Sequence, residues 1–278
     1  MKNTIDDIYI PNKIKDKING LEYITDSIGL SNSKVFIFDD YILKISKLPF
    51  DIDNEVRIYQ ILKDKLPIPE IIDYVVEDNT IYLLKSKLEG KLLSDPYYMK
   101  RPKLLSDSYY MERPDLLYKL AVKAIKMLWS IDIKDLNLKN TYDVIIKSGK
   151  FFYDNNLLDF KNTDNNITKD FKSFDEIFDY LAKNKPNNDN VLCHGDLCLP
   201  NIICNGNKLV GFIDLGLMGI SNRYHDLAIL YRSIKYNFNG SYGKSYPGFN
   251  ENKLFDLLEI KKDEKLLKYY LLLDEVLG

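Results

Sequence analysis

The chain has 278 residues, 45% of them hydrophobic, enough for one large core or two modest ones. Its 39 basic and 41 acidic side chains leave a formal charge of −2, which excludes the broad basic surface of a nucleic-acid binder and makes any affinity for a charged ligand local. Residues 1–20 lack the apolar centre of a secretory signal and the apolar stretches are broken by lysines short of a bilayer span, so the expectation is a cytoplasmic protein with no membrane or nucleic-acid partner and no obligate protein partner.

In chain order, "EYITDS" (22–27), "VFIFDD" (35–40) and "YILKIS" (41–46) read as strands of an antiparallel meander, with the turn "IGLSNSK" (28–34) between the first two. "DIDNEVRIYQILKDKL" (51–66) places Ile52, Val56, Tyr59, Leu62 and Leu66 at helical steps, opens with acidic residues and stops before Pro67, so it predicts a helix packed on the meander. Two more strands follow around the turn at residues 77–80, with a polar exit at Glu89 and Gly90. Five strands and one main helix make a small first lobe, residues 1–90, including the connection to the rest.

From residue 115 the period changes to helical, within an expected second lobe of residues 91–278. "DLLYKLAVKAIKMLWSI" (115–131) and "SFDEIFDYLAKNKP" (173–186) are amphipathic, the second with Ser173 or Asp175 as N-cap. Between them and the first lobe lies a tandem duplication: "LLSDPYYMKRPK" (92–103) is followed at once by "LLSDSYYMERPD" (104–115). One short extra copy is no solenoid, and it is expected to be an insertion tolerated at the lobe junction.

The chemistry concentrates in "CHGDLCLPNIICNGNKLVGFIDLG", residues 193–216, where two short apolar strands flank "NGNK" and Asn205-Gly206 supplies the positive φ angles of a hairpin. His-x-Asp-x-x-x-x-Asn, then Asp-x-Gly after a hairpin, is the arrangement used for phosphoryl transfer in the kinase-like fold. That reaction asks the protein for alignment and positive charge. Magnesium takes oxygen ligands and few protein carboxylates, a demand that Asn201 and Asp214 fit. Asp196 is left to accept or orient the proton of an attacking hydroxyl. His194 is expected to hydrogen-bond the loop, and His225, at a helix start in "RYHDLAIL", to be solvent-exposed. The three cysteines, Cys193, Cys198 and Cys204, have neither disulfide nor zinc spacing and are expected to be reduced packing residues.

A triphosphate donor needs an anchor in the first lobe. Lys44 can reach its phosphates and Glu55 on the next helix can hold the ammonium. The turn before the second strand would cover the phosphates with backbone N–H groups and the Ser31 and Ser33 hydroxyls. The backbone of "KSKLEG" (85–90), with Ser86 and Leu88, is where an adenine edge would be read.

These motifs resemble those of the aminoglycoside phosphotransferases, and within them the 3′-phosphotransferases known as kanamycin kinases. "CHGDLCLPNI" and "GFIDLG" match the family's catalytic and metal-binding motifs, and "RYHDLAILYRSI" and "FDLLEI" with "KYYLLLDE" are similar to its C-terminal helices. The resemblance implies a bilobal α+β protein-kinase-like fold, with a small antiparallel β lobe and a larger mostly helical one. It implies transfer of the γ-phosphate of ATP or GTP to the 3′-hydroxyl of an aminoglycoside, conferring resistance, with Asp196 as catalytic residue, Asn201 and Asp214 on Mg²⁺, and Lys44 with Glu55 on the phosphates. Asp274 and Glu275 match a C-terminal acidic pair suited to a polycationic drug, and Asp164 and Asn166 fall where relatives place acids for its ammonium groups. The chain departs from the family at Leu217, where an arginine is usual, at its ending "VLG", and in its asparagine-rich loop at 162–166. A kinase of choline or a sugar, or a nucleotide-binding protein without catalysis, are the competing expectations.

Overall fold

Short runs rich in β-branched and aromatic residues, separated by polar turns, build a five-stranded antiparallel sheet from β1 (Ile24–Asp26), β2 (Ser33–Ile37), β3 (Tyr41–Lys47), β4 (Ile71–Glu77) and β5 (Thr80–Ser86), in the order β1-β2-β3-β5-β4. The computed structural model describes residues 8–26, 33–47, 52–94, 108–187 and 189–278 of the chain. The turn at 28–32, with Ser31, lies outside these residues. Ser33 begins β2, opposite Ser46 on β3.

Both faces of this sheet are covered, by different helices. Lys44 of β3 stands opposite Leu83 of β5, so residues 81, 83 and 85 share the Lys44 face. On that face Ile81 and Leu83 pack against Val56, Tyr59 and Leu62 of α2 (Ile52–Leu62). The other face, with Phe36, Leu43, Tyr82 and Leu84, is covered by α1 (Asn12–Ile18), which the sequence reading passed over among its lysines. Ile14 and Ile18 of α1 are fully buried at one-turn spacing, each gaining about 1.5–3 kcal/mol from burial.

After this sheet come a short strand, β6 (Lys91–Leu92), and then α3 (Pro114–Trp129), α4 (Thr141–Asp154), a single turn α5 (Asn165–Thr168) and α6 (Phe174–Lys183). Ser173 does cap α6, accepting from the Glu176 amide at 3.4 Å. Strands β7 (Asn190–Cys193), β8 (Ile202–Asn205), β9 (Lys208–Phe212) and β10 (Gly219–Asn222) form two small sheets, β7 with β10 and β8 between β6 and β9. Three helices close the chain: α7 (Tyr224–Asn239), α8 (Lys253–Leu258) and α9 (Glu264–Glu275). None of the described helices is long and apolar enough to cross a membrane. The fold is the expected bilobal α+β arrangement.

Two local expectations change. The hairpin between β8 and β9 takes its positive φ from Gly206 alone, at 58°, because Asn205 stays in β8 paired with Lys208. Most of the duplicated segment, residues 95–107, lies outside the described set; of the second copy, Tyr110 and Met111 are buried in the main core and Pro114 starts α3. His225 is not exposed. The first turns of α7 are buried on nearly every side, so His225 is at 0% exposure, stacked on Tyr270 at 5.2 Å with its Nδ1 3.1 Å from the Ser221 hydroxyl.

Burial pushes the His225 pKa down to about 4, below the ordinary histidine value of 6.5. A depressed folded pKa means that its contribution is present above pH 6.5 and is lost as pH falls through 4, at most about 3 kcal/mol. Asp226, raised by burial, acts in the opposite sense, so the comparison has to be made with a variant. The unfolding free energy of His225→Gln is expected to fall less than that of the wild type between pH 6.5 and 4, as measured by urea denaturation; parallel losses would contradict it.

Candidate active site

The loop after β7 is held by a buried carboxylate. Asp226, at the start of α7, accepts the His194 amide at 2.7 Å and the Gly195 amide at 3.0 Å, one on each oxygen. Such charge-assisted bonds from two successive amides fix the loop's direction. Nδ1 of His194 accepts the Asp196 amide at 3.3 Å and Nε2 lies 2.9 Å from the Ile213 carbonyl, an arrangement that a neutral ring with its proton on Nε2 satisfies. Burial lowers the His194 pKa and so favours that neutral ring. His194 is thus architectural, as expected: it ties the Asp196 loop to the segment carrying Asp214.

Asn201 tightens the same knot. Its side-chain amide donates to the Asp196 backbone carbonyl and to Asp196 Oδ2, both at 2.9 Å, while its own backbone carbonyl accepts the Ile213 amide at 3.1 Å. With Nδ2 spent on Asp196, the carboxamide oxygen is the part of Asn201 suited to a cation.

Asp214 sits in the left-handed region, φ 62°, a conformation that costs about 1–3 kcal/mol in a non-glycine residue and that aims its carboxylate back at the sheet. There Lys44 Nζ meets Asp214 Oδ1 at 2.7 Å and Glu55 Oε2 at 3.0 Å. This ion pair joins residues 170 positions apart and closes the two lobes on each other. The turn is seated by Asn54 on α2, which donates to the Gly216 carbonyl at 3.1 Å. A further junction forms at Gly211 of β9, where the Phe212 amide donates to the Pro67 carbonyl at 3.0 Å and any Cβ at position 211 would run into that same carbonyl. Leu88 packs over this glycine.

The electrostatics follow the geometry. Burial would pull the Lys44 ammonium down, but Asp214 and Glu55 outweigh it and hold its pKa above the ordinary lysine value. Lys44 in turn keeps Asp214 well below the usual carboxylate range. Asp196 goes the other way: burial first, then the negative charges of Asp274 and Asp214, push it up to about 6. Two carboxylates of one cleft are therefore driven apart, one firmly ionised and the other a readier proton acceptor.

The remaining candidates fall into three groups. Ser33 spends its hydroxyl on Ser46, 2.7 Å away across the end of the β2–β3 pair, and Ser86 at the end of β5 accepts the Glu70 amide at 2.9 Å, so each side chain is already engaged. Asp274 and Glu275 are brought together at the end of α9, but Arg232 of α7 sits on both, hydrogen-bonding Asp274 and reaching Glu275 at 3.2 Å. Asp164 joins them: its amide donates to Glu275 at 2.8 Å, and its carboxylate caps α5, accepts Tyr236 Oη and takes the Asn166 side-chain amide at 3.1 Å. The expected acidic basin is thus partly neutralised by one arginine, with burial raising Glu275 to about 7.

Sequence reading passed over Asp226, Arg232, Tyr236 and Lys85. Asp226 and Lys85 did carry a signal, each being a charge in an otherwise apolar run, "HDLAIL" and "IYLLKS". Among the described residues no group of three or more acids, histidines or cysteines surrounds a common point. A divalent ion here would therefore take Asp214 and the Asn201 oxygen and draw the rest of its shell from phosphate and water, the donor set magnesium favours.

The sequence model of the phosphotransferase enzyme family matches residues 22–254. The chain belongs to that family. It is 29% identical over 273 residues to an aminoglycoside 3′-phosphotransferase of Enterococcus faecalis, covering 95% of this chain and 97% of that one. It is 28% identical to one of Staphylococcus aureus with the same coverage. The solved structure of an aminoglycoside 3′-phosphotransferase of type VIII superposes with a TM-score of 0.71 at 17% identity, over 95% of this chain and 97% of that one. An aminoglycoside phosphotransferase from Streptomyces rimosus, in complex with ADP and streptomycin, does so with a TM-score of 0.66 at 20% identity, over 95% and 96%.

Gly195, at φ 86°, packs against Leu217, whose carbonyl a Cβ would strike. In this family member Gly195→Ala is expected to cost about 1–3 kcal/mol in backbone strain and, by pushing the Asp196 loop away from the Asp214 segment, to lower turnover more than tenfold. Thermal denaturation and steady-state kinetics on the same preparation check both parts.

Proposed function

We propose that this phosphotransferase moves the γ-phosphate of ATP or GTP to the 3′-hydroxyl of an aminoglycoside, and so gives resistance to it. The observation that carries the reading is the meeting of Lys44, Glu55 and Asp214 on one side of the interlobe cleft with Asp196 and Asn201 adjoining them. The nearly full-length curated relatives favour an aminoglycoside acceptor over choline or a sugar. The intact set of charged residues weighs against a protein that only binds nucleotide. The reaction uses a nucleoside triphosphate, in keeping with a cytoplasmic location. Residues 1–90 would form the donor lobe and 91–278 the catalytic and acceptor lobe, a division supported by the pairing of β6 with β8 from residue 91 onward.

In this mechanism the first lobe binds the donor along the connecting segment 85–90, with Ser86 and Leu88 beside it. Lys44, released from Asp214, turns to the phosphates while Glu55 keeps its ammonium in the cleft. Asp214 and the Asn201 oxygen would hold Mg²⁺, which when bound supplies positive charge to the triphosphate. The acceptor hydroxyl approaches Asp196, whose raised pKa suits it to orient the O–H and take its proton as the new O–P bond forms. The bond from the γ-phosphorus to the bridging oxygen breaks, and the nucleoside diphosphate leaves with the electron pair. Asp274, Glu275 and Asp164 would receive the drug's ammonium groups, in competition with Arg232 and Tyr236. Asn166 would add a neutral hydrogen bond, worth roughly half a charged one.

Incubation with kanamycin, Mg²⁺ and ATP or GTP is expected to give 3′-phosphorylated drug; no phosphorylation of any common aminoglycoside would overturn the reading. Asp196→Ala is expected to lower turnover about 100-fold or more while changing nucleotide affinity by less than about threefold. Equal loss of both would make Asp196 structural.

A further inference from the structure

Lys85 is a lysine at 5% exposure near the end of β5, in a strand otherwise filled by Ile81, Tyr82, Leu83 and Leu84. A lysine so placed pays a large desolvation cost unless it is paired. Its partner is Glu55, the residue already engaged by Lys44. The two lysines take separate oxygens, Lys85 approaching Oε1 at 3.4 Å and Lys44 approaching Oε2 at 3.0 Å. Lys85 also donates to Tyr59 Oη at 3.0 Å, and its ammonium lies 4.9 Å from the centre of that ring. Tyr59 follows Glu55 by one turn of α2, so a single ammonium grips two successive turns of that helix and ties them to β5.

The cleft therefore holds alternating charges in a chain, Lys85, Glu55, Lys44 and Asp214, with both inner members shared. When donor phosphates draw Lys44 away from Asp214, a carboxylate held only by Lys44 would be free to follow it or rotate. We propose that Lys85 is a positioning residue for the donor: by holding the second oxygen of Glu55 from the sheet side, it keeps that carboxylate aimed into the cleft while Lys44 engages the phosphates. Lys85 need not touch the nucleotide to do this. The inference rests on the cleft being the donor site, and not on the identity of the acceptor.

The test is steady-state kinetics with ATP varied at saturating kanamycin, together with titration of ADP in the absence of acceptor. Lys85→Met is expected to lower kcat/KM for ATP by about tenfold, with the KM for kanamycin changed by less than about twofold. In a Glu55→Gln background the same substitution should change kcat/KM for ATP by less than about twofold, because the two residues act as one unit. Tyr59→Phe, nearly isosteric and so a safeguard against misfolding of the lysine variant, should lower kcat/KM for ATP about two- to threefold in the same direction. Wild-type kcat/KM in Lys85→Met or in Tyr59→Phe, or an equal loss in both Glu55 backgrounds, would overturn the role. Failure of the wild type to bind ADP would instead overturn the donor site itself, whereas tight ADP binding without drug phosphorylation would overturn only the acceptor.

Discussion

The contact on which the working geometry depends is the ion pair between Lys44 and Asp214. It crosses the cleft, joins a strand of the first sheet to the turn after β9, and carries Glu55 with it. Its members differ in exposure: the Lys44 and Glu55 side chains retain 15% and 6% of their surface, but Asp214 retains 51%. The buried half is costly to break, since removing one partner of a buried pair typically costs about 3–5 kcal/mol. The exposed half is screened by water and can be exchanged for other charges. An arrangement of this kind holds Lys44 and Glu55 together more firmly than it holds Asp214.

The second organising element lies behind the first and is made of hydrogen bonds. Asp226 holds the His194 and Gly195 amides, His194 holds Ile213, and Asn201 holds both Asp196 and the strand that leads to Asp214. Nearly every link is buried or half-buried and made to a backbone group, so the segments carrying the two aspartates are tied to each other. This rigidity matters for a reaction in which the protein contributes alignment and charge and forms no bond to the phosphorus.

Around the end of α9 the charge is more nearly balanced than the sequence suggests. Arg232 bridges Asp274 and Glu275, while Tyr236 and the α5 cap occupy Asp164. The negative field still reaches Asp196, where Asp274 is the largest charged influence on its pKa. Positive charge brought among these acids would weaken that influence, so the charge at the end of α9 is coupled to the proton affinity of Asp196.

Much of this was legible in the sequence. The short apolar, β-branched and aromatic runs in residues 35–46 and 70–86, the period of 3.6 in 51–66, and the spacing of His194, Asp196, Asn201, Asp214 and Gly216 determine the first sheet, its helix and the turns that carry the two aspartates, because neighbouring residues alone set those patterns. Other features were decided by the tertiary structure. That α1 covers the back of the sheet depends on both faces of β5 being apolar, a pattern that does not say what lies on either. His225 is buried because α9 brings Tyr270 against it, and the partners of Glu55, Asp274 and Glu275 come from distant segments. Local spacing encodes which way a side chain points within its own element. Which opposite charge it meets there, and how much water remains between them, is set only when the elements pack.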